Sequence, residues 1–123
     1  MNDQEPAVAN RDDRVMRAAR IARHNDILRQ RGEGGVIVVT LGARALPSFD
    51  APSLLLMLQT YDGFDEDNDP HGEHDFGDVE WPGGISLLWK IDYYDEQMEY
   101  ASPDPANAGA TKRILTVMLA SEY

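Results

Sequence analysis

The sequence predicts an α+β fold: a single small domain with elements in the order α-β-α-β-β-β-α, a mostly antiparallel sheet and helices packed on it. Three observations carry that prediction. Apolar positions recur at helical spacing between Asp13 and Arg31, a β-branched run bounded by glycines follows at Val36 to Leu41, and Ile85 to Asp95 alternates residue by residue. No internal repeat, low-complexity tract or linker divides the chain, so residues 13–123 are expected to form one domain behind a disordered N-terminal tail at 1–12.

In the first helix Ala18, Ile21, Ala22, Asn25 and Leu28 fall on one side, and Gly32 with Gly34 and Gly35 stops it after Arg31. Arg14, Arg17, Arg20 and Arg23 spread over about half of its circumference at 3.6 residues per turn. With Asp12, Asp13 and Asp26 interspersed, this reads as a solvated face before a nucleic-acid stripe. The run Val36 to Leu41 has the composition of a buried central strand. After the turn around Pro47, Asp50 is placed to cap a helix with Pro52 in its first turn, and the absence of charge from Ala51 to Tyr61 predicts that this helix is largely buried.

Residues 65–78 are too polar and too broken by Gly and Pro for regular structure until about Asp75. Phe76 to Trp81, the turn Pro82-Gly83-Gly84 and the run Ile85 to Asp95 then read as a β-hairpin, with Ile85, Leu87, Trp89, Ile91 and Tyr93 on the core face. A tight turn at Asp95-Glu96 would return a further strand through Met98 and Tyr100. That register sets Tyr93 opposite Met98, Asp92 opposite Glu99 and Ile91 opposite Tyr100. Asp104-Pro105 has the form of a cap followed by a first-turn proline, and opens an expected last helix through Ile114, Val117, Met118 and Tyr123.

Composition narrows the function. A chain of 123 residues with 42% hydrophobic content is long enough for one core, and the absence of cysteine excludes disulfides, thiol nucleophiles and thiolate metal sites. No apolar run approaches the roughly 18–20 residues of a membrane span, and Met1 to Asp13 is polar where a signal peptide would be apolar, so a cytoplasmic protein without membrane contact is expected. The net charge of -11 is uneven: residues 1–48 hold eight Arg and six acids, whereas 49–123 hold three basic residues and sixteen acids. So acidic a second part repels phosphate. It favours a basic protein partner or a divalent cation over direct contact with nucleic acid.

Residues 65–78 pack seven carboxylates and two imidazoles into fourteen positions with no Lys or Arg. The alternation Asp65, Asp67, Asp69 resembles the start of a calcium loop, but Pro70 stands where glycine is required and Phe76 where the twelfth-position glutamate belongs. His71-Gly-Glu-His74 could offer two imidazoles and a carboxylate to zinc or manganese, although two His three apart and off a helix have no fixed geometry, and Glu73, His74 and Asp75 are the candidate metal ligands. The structural alternative ties His74 or Asp75 to nearby backbone. On the hairpin, Lys90, Asp92 and Tyr94 form a ladder on the mixed face, open to a partner if helices cover only one side. The catalytic motifs sought are missing: Gly32-Glu-Gly-Gly35 precedes a strand and lacks dinucleotide spacing, no Gly-x-Ser-x-Gly elbow exists, and Lys90 lacks the acid two positions earlier of a carboxylate-x-lysine nuclease.

The strings Asn68-Asp-Pro, Gly72-Glu-His-Asp-Phe-Gly77, Trp89-Lys-Ile-Asp-Tyr-Tyr-Asp95, Ser102-Pro-Asp-Pro105 and Leu119-Ala-Ser-Glu-Tyr123 resemble domain-of-unknown-function family 3768, from about Ile21 to the C-terminus. The resemblance implies a small bacterial protein, often met among mobile-element genes, and supplies no established activity, cofactor or catalytic residue. It moves weight from His71 to His74. Two functions are thus expected to compete. The first is a non-catalytic binding or inhibitory module whose acidic surface imitates DNA phosphates before a basic protein, with Asn68, Asp69, Glu73, His74, Asp75, Lys90, Asp92 and Tyr94 as its functional residues. The alternative is a metal-dependent hydrolase using Glu73, His74 and Asp75 with Asp92 nearby. Oligomeric state is open at this level.

Overall fold

The computed structural model describes residues 7–123, with side chains from Arg11 onward. Helix α1 spans Ala7–Arg31, and Gly32 closes it at φ +69° with its N–H donating to Leu28 O at 2.8 Å. Of the expected tail, residues 1–6 lie outside the described residues, while Ala7 to Asp12 belong to the helix. The run from Ala7 to Arg31 holds neither Gly nor Pro and is rich in alanine and arginine, so helical backbone propagates through it. Ile21, Ala22, Asn25 and Leu28 are buried, on the side that the spacing indicates.

Strand β1 covers Gly35–Val39, and the short helix α2 follows at Leu41–Arg44, capped by Thr40, whose Oγ1 accepts from Ala43 N at 3.2 Å. Helix α3 spans Ala51–Gln59 with Asp50 as its cap, Oδ2 accepting from Ser53 N at 3.0 Å, and Pro52 in the first turn as the sequence predicts. It buries Leu54 and Leu58 but exposes Leu55 and Leu56, so it is less covered than its lack of charge suggests. Strands β2 (Phe76–Trp81) and β3 (Ile85–Tyr94) form the expected hairpin, and Leu87, Trp89 and Ile91 are buried in alternation.

The C-terminal third departs from expectation. Lys112–Leu119 is a strand, β4, where a helix is expected, and only single 3-10 turns at Ala108–Ala110 and Ala120–Glu122 flank it. Asp104 does hold a turn, but it ends at Asn107, which caps a separate 3-10 turn. Arg113, Leu115 and Val117 then bury every second side chain, with Thr111, Thr116 and Val117 favouring extended backbone. Residues 95–100 form a turn, with Asp95 N–H donating to Tyr100 O and Met98 at φ +59°, and only the Tyr94↔Ala101 bridge continues the expected extra strand. The anticipated pairs therefore do not form: Ile91, Asp92 and Tyr93 stand opposite Leu115, Ile114 and Arg113 of β4.

The sheet order is β1-β4-β3-β2, with β1 parallel to β4 and the other two pairings antiparallel. An α+β domain with a mostly antiparallel sheet results. β1 is an edge strand and not a central one, because β4 takes the middle. One sheet face carries the core of Leu28, Leu54, Leu58, Trp81, Trp89, Leu115 and Val117, contributed jointly with α1 and α3. Alternate residues on the other face include Val36 and Val38, which are 56% and 40% exposed. Among the described residues no helix is long and apolar enough to cross a membrane.

Candidate functional site

The acidic stretch is neither a loose loop nor a ring of converging ligands. Asp69 holds it from inside: its Oδ1 accepts from the backbone N–H groups of Glu73 at 3.1 Å and His74 at 3.2 Å, with Gly72 and His74 at φ +71° and +57° turning the chain around it. Asn68 performs the same service one turn earlier. It accepts from Asp65 N and donates to Gly63 O at 2.7 Å.

From this turn the side chains of Glu73 and His74 reach partners on different elements. Glu73 Oε1 accepts from the Tyr93 hydroxyl at 2.9 Å. The His74 ring stacks on Phe64 with centroids 4.0 Å apart and 5° between planes, and its Nδ1 donates to Asp26 Oδ1 at 2.9 Å. Arg29 shares that same oxygen at 2.8 Å, donates to Leu58 O at the end of α3, and lies over Phe64 and Trp89 at 5.2 and 5.7 Å. Asp75 remains half-buried at the start of β2, its carbonyl accepting from Ile91 N at 2.8 Å.

Beneath Glu73 lies a fully engaged polar network. Asn25, with no exposed surface, donates from Nδ2 to Glu73 O at 3.0 Å and to Tyr93 Oη at 2.8 Å, and accepts at Oδ1 from Arg113 Nε at 2.9 Å. Arg113, also buried, donates further to Pro105 O and lies 5.3 Å over the Tyr93 ring. All three hydrogen-bonding capacities used by Asn25 are thus met across α1, the 69–75 turn, β3 and β4. Burial, followed by the nearby carboxylates, pushes the Tyr93 phenol far above its usual value, while burial lowers Arg113.

Asp92 is not part of this arrangement. Strand alternation sends it to the opposite sheet face, where it accepts from Lys90 Nζ at 2.8 Å, and that bond holds the ammonium above its ordinary pKa. Tyr94 shares this helix-free face. Among the described residues no group of three or more His, Asp or Glu side chains converges to hold a metal ion. Of the trio Glu73, His74 and Asp75, His74 turns away to Phe64 and Asp26, whereas Glu73 and Asp75 both stay beside Tyr93.

The remaining carboxylates form a surface. Asp62, Asp65, Glu66 and Asp67 on the loop and Asp78 and Glu80 on β2 are exposed, and none pairs with a basic group among the described residues. Tyr61 joins the two segments: burial raises its pKa first, with Asp78 and Asp65 adding to the rise from either side. The loop and the β2 edge therefore make one acidic end.

A family model described as a protein of unknown function (DUF3768) matches residues 39–122. The chain belongs to this DUF3768 family. The match begins at Val39 and not near Ile21, so α1 lies outside it although α1 supplies Asn25, Asp26 and Arg29 to the network. No curated protein and no solved structure matches the chain. In this DUF3768 chain the Gly72-to-Gly77 string is the clasp that joins the acidic loop to the sheet. The sequence reading missed Asn25 as a polar group, and also Asp26, Tyr93 and Arg113. Two signals were present: an asparagine on the apolar stripe of α1, and the only arginine after Arg44.

The clasp predicts a pH effect. Burial first, then Glu73 and Asp69, raise the Asp75 pKa. A carboxyl raised on folding opposes folding once ionised, and this opposition vanishes below the unfolded pKa of about 4, where both states are protonated. Asp75→Asn is therefore expected to raise the melting temperature at pH 7 and to converge with the parent near pH 3, as thermal scans across that range would show. A gain that is the same at both pH values would contradict it.

Proposed function

We propose that this DUF3768 chain is a non-catalytic binding or inhibitory protein whose acidic end occupies the basic groove of a protein that handles nucleic acid. What supports this reading is the division of labour among its carboxylates. Asp65, Asp69, Glu73 and Asp26 spend oxygens on internal donors, whereas Asp62, Glu66, Asp67, Asp78 and Glu80 face solvent with no cation beside them. Unpaired negative charge on a folded platform attracts a basic groove by the electrostatics that attract that groove to DNA. A bacterial, cytoplasmic setting and a mobile-element gene belong to the same proposal. The helix-free ladder of Lys90, Asp92 and Tyr94 is a secondary contact surface beside it.

The test is affinity capture with the whole chain, followed by elution with salt and with duplex DNA, run beside a variant carrying Asp62→Asn, Glu66→Gln, Asp67→Asn, Asp78→Asn and Glu80→Gln. Asp65 and Asp69 are left intact because they hold the loop. A basic partner retained by the parent, displaced by excess DNA, released by salt and lost by the variant is the expected result. A complex that survives high salt and excess DNA, or binds the variant equally well, would overturn the proposal.

A further inference from the structure

The two edges of the sheet are treated differently. β2 carries Asp78 and Glu80, charges of the kind that discourage a further strand from pairing. β1, Gly35-Val-Ile-Val-Val39, carries no charge and no proline, and it pairs on one side only, with β4. Thr40 N–H donates to Val117 O at 3.0 Å, so by strand period Val36 and Val38 also direct their amides to β4. The N–H and C=O groups of Gly35, Ile37 and Val39 consequently line the free edge, with no partner among the described residues.

We infer that β1 is a homodimer interface, pairing antiparallel with β1 of a second copy about a two-fold axis at Ile37 to give a continuous eight-stranded sheet. The strand is self-complementary in that register. Gly35 stands opposite Val39 of the second copy and Ile37 opposite Ile37, which forms about six new ladder hydrogen bonds, two for each hydrogen-bonded pair. Val36 stands opposite Val38, and the same pair recurs across the axis, so four valines that are largely exposed in the single chain cover one another on the helix-free face.

The surroundings of β1 repeat this complementarity. At its start lies a groove of about 350 Å³ whose lining includes Gly35, Val36, Met98, Ile114, Lys112 and Arg113; just beyond its end Leu41 is 76% exposed. Antiparallel pairing brings the end of β1 of the second copy, with Leu41 and Arg44 just beyond it, to the start of β1, where Glu33 and the groove lie, and does so twice. Glu33 and Arg44 of the second copy thereby share one end of the interface, with opposite charges, and neither residue has an ion-pair partner among the described residues. Charge favours a second copy over an unrelated strand for another reason. The acidic end lies at β2, on the far side of the sheet, so pairing through β1 holds the two most negative surfaces apart. An interface built on five residues is small beside the 1,200–2,000 Å² typical of stable complexes, so the dimer is expected to be concentration-dependent, with a micromolar dissociation constant.

Sedimentation equilibrium of the full chain from about 1 µM to about 1 mM tests this, with melting temperatures confirming that each variant folds. The parent is expected to pass from monomer to dimer, and Val38→Lys, at an exposed edge position, to weaken the dimer by about tenfold or more. Glu33→Arg and Arg44→Glu should each weaken it, and the two together restore it. A chain monomeric throughout, a dimer indifferent to Val38→Lys, or a doubled charge swap no tighter than the single ones overturns the β1 pairing. None of these outcomes depends on the basic partner proposed above.

Discussion

Replacing Asn25 by leucine is expected to cost the fold about 3 kcal/mol, read as a drop of about 10 °C in melting temperature and a matching fall in the urea midpoint. Leucine nearly keeps the volume but removes one acceptor and two donors at once. Arg113 Nε then faces no oxygen, the Glu73 carbonyl loses its side-chain donor, and the Tyr93 hydroxyl keeps only its bond to Glu73. The lost acceptor of the buried Arg113 guanidinium dominates the loss, because less of the desolvation of its charge is then offset. The cost sits at the low end of the usual 3–5 kcal/mol range because Arg113 retains Pro105 O and the Tyr93 ring. Total stabilities run at about 5–15 kcal/mol, so this one amide holds a substantial share. Arg113→Met in the Asn25→Leu background should cost much less than Arg113→Met alone, since both remove the same bond. Additive costs would show that the network does not act as a unit.

How much of this was legible in the sequence depends on how far apart the partners lie. The β2–β3 hairpin was legible because Pro82-Gly83-Gly84 and the alternation from Ile85 to Tyr93 are local signals, and α3 was legible from Asp50 and Pro52 for the same reason. β4 was not. Ile114, Val117 and Met118 fit a helical face as well as a strand, and what decides between them is the seat between β1 and β3, which is set by residues far along the chain. That seat also moves β1 to the edge. The polar network is still less local: Asn25 reaches Tyr93 and Arg113 across 68 and 88 residues. Glu73, His74 and Asp75 looked like a ligand set because they are adjacent in sequence, but Glu73 turns to the Tyr93 hydroxyl on β3 and His74 finds Asp26 on α1, 48 residues earlier.

Gly77→Ala is expected to cost about 3 kcal/mol or more, for reasons unrelated to backbone freedom. Gly77 is buried under two rings, and a methyl there would lie 2.6 Å from Trp89 Nε1, 2.7 Å from Trp89 Cε2 and 2.7 Å from Tyr61 Cζ. Neither ring can give way cheaply. Trp89 is fully buried in the core, and Tyr61 is set edge-on between it and Phe64, with centroids 5.4 and 4.9 Å away. Displacing Tyr61 pushes Phe64, which carries His74 and through it the link to Asp26, and also disturbs the residue that joins Asp65 to Asp78. Gly72→Ala in the same motif provides the control. Gly72 sits at φ +71° with open space around it, so alanine there meets only backbone strain, worth about 1 kcal/mol. Unfolding followed by tryptophan fluorescence would report both, and equal costs would remove the steric argument. The same pair bears on the acidic end: neutralising Asp62, Glu66 and Asp67 should weaken partner binding without lowering the melting temperature, whereas Gly77→Ala should lower the melting temperature first and loosen the acidic surface only as a consequence.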